Sequence, residues 1–221
     1  MELEKFGMTP AQIISSELNS LMPHCQRLAM FTYGSTVYKN KKPGDLDVYV
    51  VVDIDFCDQF VIGNYNVNVY SFDMFMDKLE KHDVVTLECI YAPLEFRLYE
   101  PAVKVLNAIK NFELNKGKLR SSFSAVASNS YVKAKKKLVV EADFDLPSSI
   151  KSLWHSIRIL DFGKQLAESG KINFSSVNEV YPTIIETYQE SQCEWEAIKG
   201  TVQPVYNYYS SEFKKVCPKD V

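Results

Sequence analysis

FTYGSTVYKNKKPGDLDVYVVVD, Phe31 to Asp53, decides how the rest of the chain is read. A short apolar run ends in Gly34-Ser35, and ten residues later Asp45 and Asp47 open a second, Val/Tyr-rich run. Successive side chains of a strand alternate between faces, so Asp45 and Asp47 share one face with Cα atoms ~6.6 Å apart. Two carboxylates so placed suit a hard divalent cation, magnesium or manganese, held through oxygen. The glycine lets the backbone come close to a bulky anion, and Ser35 offers its hydroxyl and N–H to a phosphate. Pro43-Gly44-Asp45 is also a turn signature, the alternative reading of the same acids.

Length and composition frame this motif. A chain of 221 residues holds one large domain or two small ones. Hydrophobic residues make up 46% and charged residues 24%, which predicts an ordinary globular protein. A net charge of −3 excludes a generic polyanion binder, so any nucleic-acid contact needs a local basic patch. No apolar run has transmembrane length and no signal pattern opens the chain, so no membrane role is expected. Cys25, Cys57, Cys89, Cys193 and Cys217 are scattered and odd in number, which predicts reduced thiols and a cytoplasmic setting.

In chain order, Thr9-Pro10 caps a helix whose apolar stripe is Ile13, Ile14, Leu18 and Leu21. Strands are predicted at 27–33, 46–52 and 66–71, with a helical turn over 35–39 whose N-terminus faces a phosphate. The second strand is apolar on both faces, as a fully buried strand is. Asp53 lies ~20 Å beyond Asp47, too far for the same ion, and caps the strand end. Helices follow from Ser71 to His82 and over 84–90. From Pro101 the periodicity turns helical: 101–114, 119–140, a helix capped by Ser148 or Ser149 and ended by Gly170, 177–190, and a last one broken near Gln203-Pro204. The expected class is therefore α+β, a small mixed β-sheet domain (1–100) followed by an α-helical domain (101–221).

A second constellation is basic. Lys151, His155 and Arg158 recur at i, i+4 and i+7 on one helical stripe, opposite Leu153, Ile157 and Leu160. Lys133, Lys136 and Lys137 cluster on the helix before, and Arg120 sits near that helix's start. A solvated basic face is one reading. A site that neutralises the phosphates of a nucleoside triphosphate is the other, with Lys133, Lys151, His155 and Arg158 as its donors.

Together, an apolar strand, Gly-Ser and Asp-x-Asp in a second strand resemble the polymerase-beta-like nucleotidyltransferase superfamily. KSLWHSIRILDFGKQLAESGKI (151–172) looks like the helical-domain motif of a predicted nucleotidyltransferase family common in bacteria and tailed bacteriophages. VVTLECIYAP (84–93) resembles that family's glutamate-bearing segment after the sheet. The likeness spans residues 28–172. It implies transfer of a nucleoside monophosphate from a triphosphate to an acceptor, with release of pyrophosphate. Asp45 and Asp47 would hold the metal and Gly34 and Ser35 would receive phosphate. Lys151, His155 and Arg158 would face the leaving group across a cleft. A phage source would place the protein in a host cytoplasm.

One departure stands out. Superfamily members carry a third carboxylate on a later strand, and the aligned position holds Asn68, which cannot act as a base at neutral pH. Glu88 is the preferred substitute, with Asp73 second. The acceptor stays open: an RNA 3′ end, a protein hydroxyl, a small molecule or a second nucleotide. Asn68 also motivates a nucleotide-binding pseudoenzyme or inhibitor. The lysine cluster with Tyr131 as a stacking platform motivates a nucleic-acid-binding module.

Overall fold

Thr9 starts the first element of the computed structural model, which describes residues 7–38 and 45–218. It forms a capping box with Gln12, and Pro10 occupies the first helical position of α1 (Pro10–Leu21). The stripe of Ile13, Ile14 and Leu18 is buried against one face of a five-stranded sheet. The strands are β1 (Arg27–Tyr33), β2 (Leu46–Val52), β3 (Cys57–Ile62), β4 (Tyr65–Ser71) and β5 (Arg97–Tyr99). Their order is β3-β4-β2-β1-β5. β2 runs antiparallel to β1 and parallel to β4, so the sheet is mixed.

Val48, Val50 and Val52 of β2 join Met30, Val67 and Val69 beneath α1. Tyr49 and Val51 point to the opposite face and are just as buried. That face is covered by α3 (Phe72–Glu80) and α4 (Val84–Tyr91), with Tyr49 Oη 3.2 Å from Thr86 Oγ1. The continuous apolar run of β2 thus reflects burial on both sides. A four-residue turn, α2 (Ser35–Tyr38), links β1 towards β2. The turn read at Pro43-Gly44, and Lys39 at the end of the helical turn, lie outside the described residues. Asp53 does close the strand end, since its Oδ1 accepts from the Gln26 N–H at 2.8 Å.

β3 and β5 do not show in the sequence pattern. β3 is an edge strand with four of its six residues exposed, and β5 is three residues long, so neither writes an alternating core.

The helices of the second half are α5 (Val103–Lys110), α6 (Lys116–Val139), α7 (Leu146–Ser169), α8 (Val180–Glu190) and α9 (Trp195–Val216). The chain forms two compact units, Met1–Glu113 and Leu114–Val221. α5 belongs to the first, where the backbone just before it bonds to Leu28 of β1. The fold is α+β, a small mixed-sheet unit followed by a helical one.

The start of α7 and the course of α9 differ from expectation. α7 is capped by Asp145, whose side chain accepts from the Ser148 N–H at 3.1 Å, with Pro147 in the first turn. Ser149 is instead buried, and its hydroxyl donates to the Ala134 carbonyl at 2.7 Å. α9 runs unbroken through Pro204. A proline removes one helical hydrogen bond, and the packed face of Trp195, Ile198, Val202 and Phe213 holds the helix across it. Gly170 ends α7 in a left-handed conformation, as its sequence position indicates. No described helix is long and apolar enough to cross a membrane.

Candidate functional site

The end of β1 and the start of β2 lie side by side because the strands are antiparallel, with Tyr33 opposite Asp47. Gly34 follows with φ +72°, a region that other residues enter at a cost. A Cβ at Gly34 would stand 2.7 Å from Asp47 Oδ2, so the carboxylate occupies the space a side chain would need. Ser35 opens α2 immediately beyond. Asp47 pairs on its other side with Asn66 of the parallel β4, and Asn66 Nδ2 donates to Asp47 Oδ1 at 3.2 Å. Asp45 stands in a bend two residues before Asp47, just ahead of the strand, and is exposed. Gly34, Ser35, Asp45 and Asp47 are therefore brought together at one end of the sheet.

Asn68 sits one pair further along β4, beside Tyr49. Its Nδ2 donates to the Tyr33 hydroxyl at 2.9 Å. Burial pushes the Tyr33 phenol well above its ordinary range, with Asp47, Cys89, Tyr70 and Glu88 adding to the effect. Tyr33 is thus an uncharged hydroxyl in the field of Asp47 and Glu88.

Glu88 is not a surface residue. It is 3% exposed on α4, and one of its carboxylate oxygens accepts from the Tyr38 hydroxyl of α2. α4 buries Thr86, Leu87, Glu88, Cys89 and Ile90 in succession. Asp73 is exposed in the first turn of α3. Among the described residues no three His, Cys, Asp or Glu side chains group as a metal site.

In the helical unit, the stripe on α7 grades from exposed Lys151 to Arg158, which is 5% exposed. Arg158 lies over the Trp154 ring at 4.6 Å and the Phe162 ring at 5.7 Å. Its Nη2 lies 2.7 Å from His155 Nδ1, and since a guanidinium only donates, Nδ1 accepts. Burial, then Arg158, Lys151 and Lys133, hold His155 well below the ordinary histidine value of 6.5. His155 is therefore a neutral hydrogen-bond acceptor rather than another cation of the stripe. A wholly solvated basic face is excluded too, because Arg158 is buried. Lys133 on α6 is exposed.

Tyr131 is not a free stacking platform. Its ring packs on Trp195 at 5.7 Å and Tyr206 at 4.8 Å, and its hydroxyl donates to Gln203 Oε1 at 2.8 Å. Tyr33 and Asn66 do not follow from the motif alone, because their places depend on strand register. The aromatic neighbours of Arg158 carried a local signal: Trp154 and Phe162 stand at i−4 and i+4 on its own helix.

No protein-family model matches the chain, and comparison with curated proteins finds no match. Among solved structures, it is similar to a nucleotidyltransferase-like protein from Exiguobacterium sibiricum 255-15. Identity is 7% and the TM-score 0.36, over 94% of this chain and 78% of that one. At that similarity no residue is carried from one structure to the other.

Proposed function

We propose that this chain is a metal-dependent nucleotidyltransferase that moves a nucleoside monophosphate from a triphosphate to an acceptor and releases pyrophosphate. The observation that carries the reading is the fit of Gly34 against Asp47, with a Cβ excluded at 2.7 Å and Ser35 next in the chain. A turn without a side chain, a neighbouring hydroxyl, the Asp47 carboxylate on β2 and that of Asp45 just before the strand form a donor set that suits magnesium or manganese and a phosphate. Asp45 and Asp47 would hold the ion. The chemistry such an ion supplies when bound is neutralisation of triphosphate charge.

The chain's own residues do the rest. Asn66 fixes one oxygen of Asp47, leaving the other turned to Gly34. Ser35 donates to a phosphate oxygen. In the helical unit, Lys133, Lys151 and Arg158 form a cluster suited to phosphate, and neutral His155 orients the Arg158 guanidinium. The acceptor is an RNA end, a protein hydroxyl, a small molecule or a second nucleotide. All five cysteines are free, which suits work in a reducing cytoplasm.

The test is pyrophosphate release from each of four labelled triphosphates, with magnesium and a total RNA, protein and metabolite extract. Wild type releases pyrophosphate, while Asp45→Asn and Asp47→Asn lose release yet keep the fold. Near-wild-type turnover in either variant at saturating magnesium overturns the assignment. The Asn68–Tyr33 hydrogen bond, formed where a third carboxylate was expected, favours one other reading: nucleotide binding without transfer. Magnesium-dependent ATP binding with no pyrophosphate from any triphosphate selects it.

A further inference from the structure

We propose that the outer face of α6 docks the phosphate backbone of a duplex nucleic acid, a role independent of the transferase reading above. α6 carries Lys116, Lys118 and Arg120 at its start and Lys133, Lys135, Lys136 and Lys137 at its end, with no Asp or Glu along it. Leu119, Phe123, Ala127, Ala134 and Leu138 form its buried stripe. On the opposite side Lys118, Ser121, Ala125, Ser128, Val132 and Lys136 follow one another at spacings of three or four, and all are exposed.

The stability of the helix does not account for these charges. A helix N-terminus disfavours cations, yet α6 opens with Lys116 and Lys118 and has no acid in its first turn. Lys133 stands three and four positions before Lys136 and Lys137, where like charges repel. Asp143 offsets Lys136 at 2.6 Å, while Lys116, Lys133, Lys135 and Lys137 form no ion pair among the described residues. Charges that act against the helix bearing them mark a surface kept for an anion from outside.

The shape of the row selects that anion. Lys118 and Lys136 are ~27 Å apart along the helix axis, too far for one triphosphate to meet both, so the anion is a polymer. A duplex carries one negative charge per ~1.7 Å of its axis. Between the cations, Ser121 and Ser128 offer hydroxyls to phosphate oxygens, and Ala125 is small enough for the backbone to lie close. An acidic protein or a membrane surface is held by large apolar anchors, and Val132 is the only such side chain of this row. A single strand stacks its bases on aromatic rings. The two aromatics of α6 are not available for that: Phe123 is buried and Tyr131 packs on Trp195 and Tyr206.

The experiment is fluorescence anisotropy with the full chain and a labelled mixed-sequence duplex of about 20 base pairs, from roughly 50 to 200 mM salt. RNA and DNA duplexes are measured side by side; both present the backbone that α6 fits, and the tighter of the two identifies the source. Wild type is expected to bind with an affinity that falls steeply with salt. The double variant Lys118→Gln, Lys135→Gln is expected to bind roughly tenfold more weakly, with a salt slope shallower by about 2. Lys171→Gln, an exposed lysine outside α6, serves as control and is expected to bind as wild type does. Thermal midpoints matching wild type show that both variants fold. No binding of either duplex by wild type overturns the docking face, as does binding by the double variant equal to wild type. Equal or tighter binding of a single strand or of polyglutamate at matched charge overturns the assignment to a duplex.

Discussion

Gly34 and Asp47 compete for one space: a Cβ on the glycine would come within 2.7 Å of Asp47 Oδ2. Gly34→Ala therefore has two costs. The backbone must hold an alanine at φ +72°, worth about 1–2 kcal/mol, and the carboxylate must move. Because Asn66 holds the other oxygen of Asp47, the carboxylate moves by losing that bond as well. Gly34→Ala is expected to lower the urea midpoint modestly and to abolish magnesium-dependent triphosphate binding. Calorimetry with ATP checks this, and retained binding shows that the carboxylate has room that the native packing hides.

Glu88 links two elements of the sheet unit. It accepts from Tyr38, three residues beyond Ser35, so the α4 carboxylate holds the turn that follows Gly34-Ser35. Tyr38→Phe deletes the donor and Glu88→Gln keeps an acceptor of the same shape. Tyr38→Phe is expected to cost about 1–3 kcal/mol, the range for a buried hydrogen bond that loses one partner. Glu88→Gln costs less, and the two changes combine non-additively. A double-mutant cycle by urea unfolding checks it; strict additivity dissolves the link.

What could be read from the sequence follows from how local each feature is. Gly34, Ser35, Asp45 and Asp47 lie within 14 positions and announce themselves. The pairing of Tyr33 with Asn68 needs the register of β1, β2 and β4 together, and no spacing encodes it. β3 hides because an edge strand with polar exposed positions has little core to signal. Asp145 competes as a cap with the Ser148-Ser149 pair in the sequence, and Pro147 two residues on marks the earlier start. The charge state of His155 is a property of burial and neighbours, which its position between two cations in the sequence does not encode.

In the helical unit, Gly163 of α7 is where the rings of Phe123 from α6 and Phe213 from α9 meet, their centroids 6.4 Å apart. A Cβ there would lie 2.7 Å from Phe213 Cε2 and 3.0 Å from Phe123 Cδ1. Both phenylalanines are fully buried, so neither ring swings into solvent. Gly163→Ala gains helix propensity yet overpacks the core, at a cost of about 1–3 kcal/mol that outweighs the gain of about 1. A drop in thermal midpoint is expected; an increase shows that the rings give way.

His155 sets a pH dependence on the stability of the helical unit. Folding lowers its pKa through burial and the charges of Arg158, Lys151 and Lys133, and the Arg158 guanidinium donates to Nδ1 only while that nitrogen is unprotonated. Below the ordinary histidine pKa of 6.5 the unfolded chain takes up a proton that the folded chain resists. The stabilisation is therefore present above pH 6.5 and is lost as pH falls, at up to about 1.4 kcal/mol per pH unit for one proton. Both tryptophans, Trp154 and Trp195, lie in this unit, so their fluorescence follows its unfolding. His155→Gln leaves an oxygen to accept from Arg158 but nothing to titrate. Urea unfolding between pH 7 and 5 is expected to show wild type losing stability faster than the glutamine variant, with the curves converging near neutrality to within the cost of the substitution. Parallel profiles across that range are the result that returns His155 to an ordinary, solvent-titrating histidine.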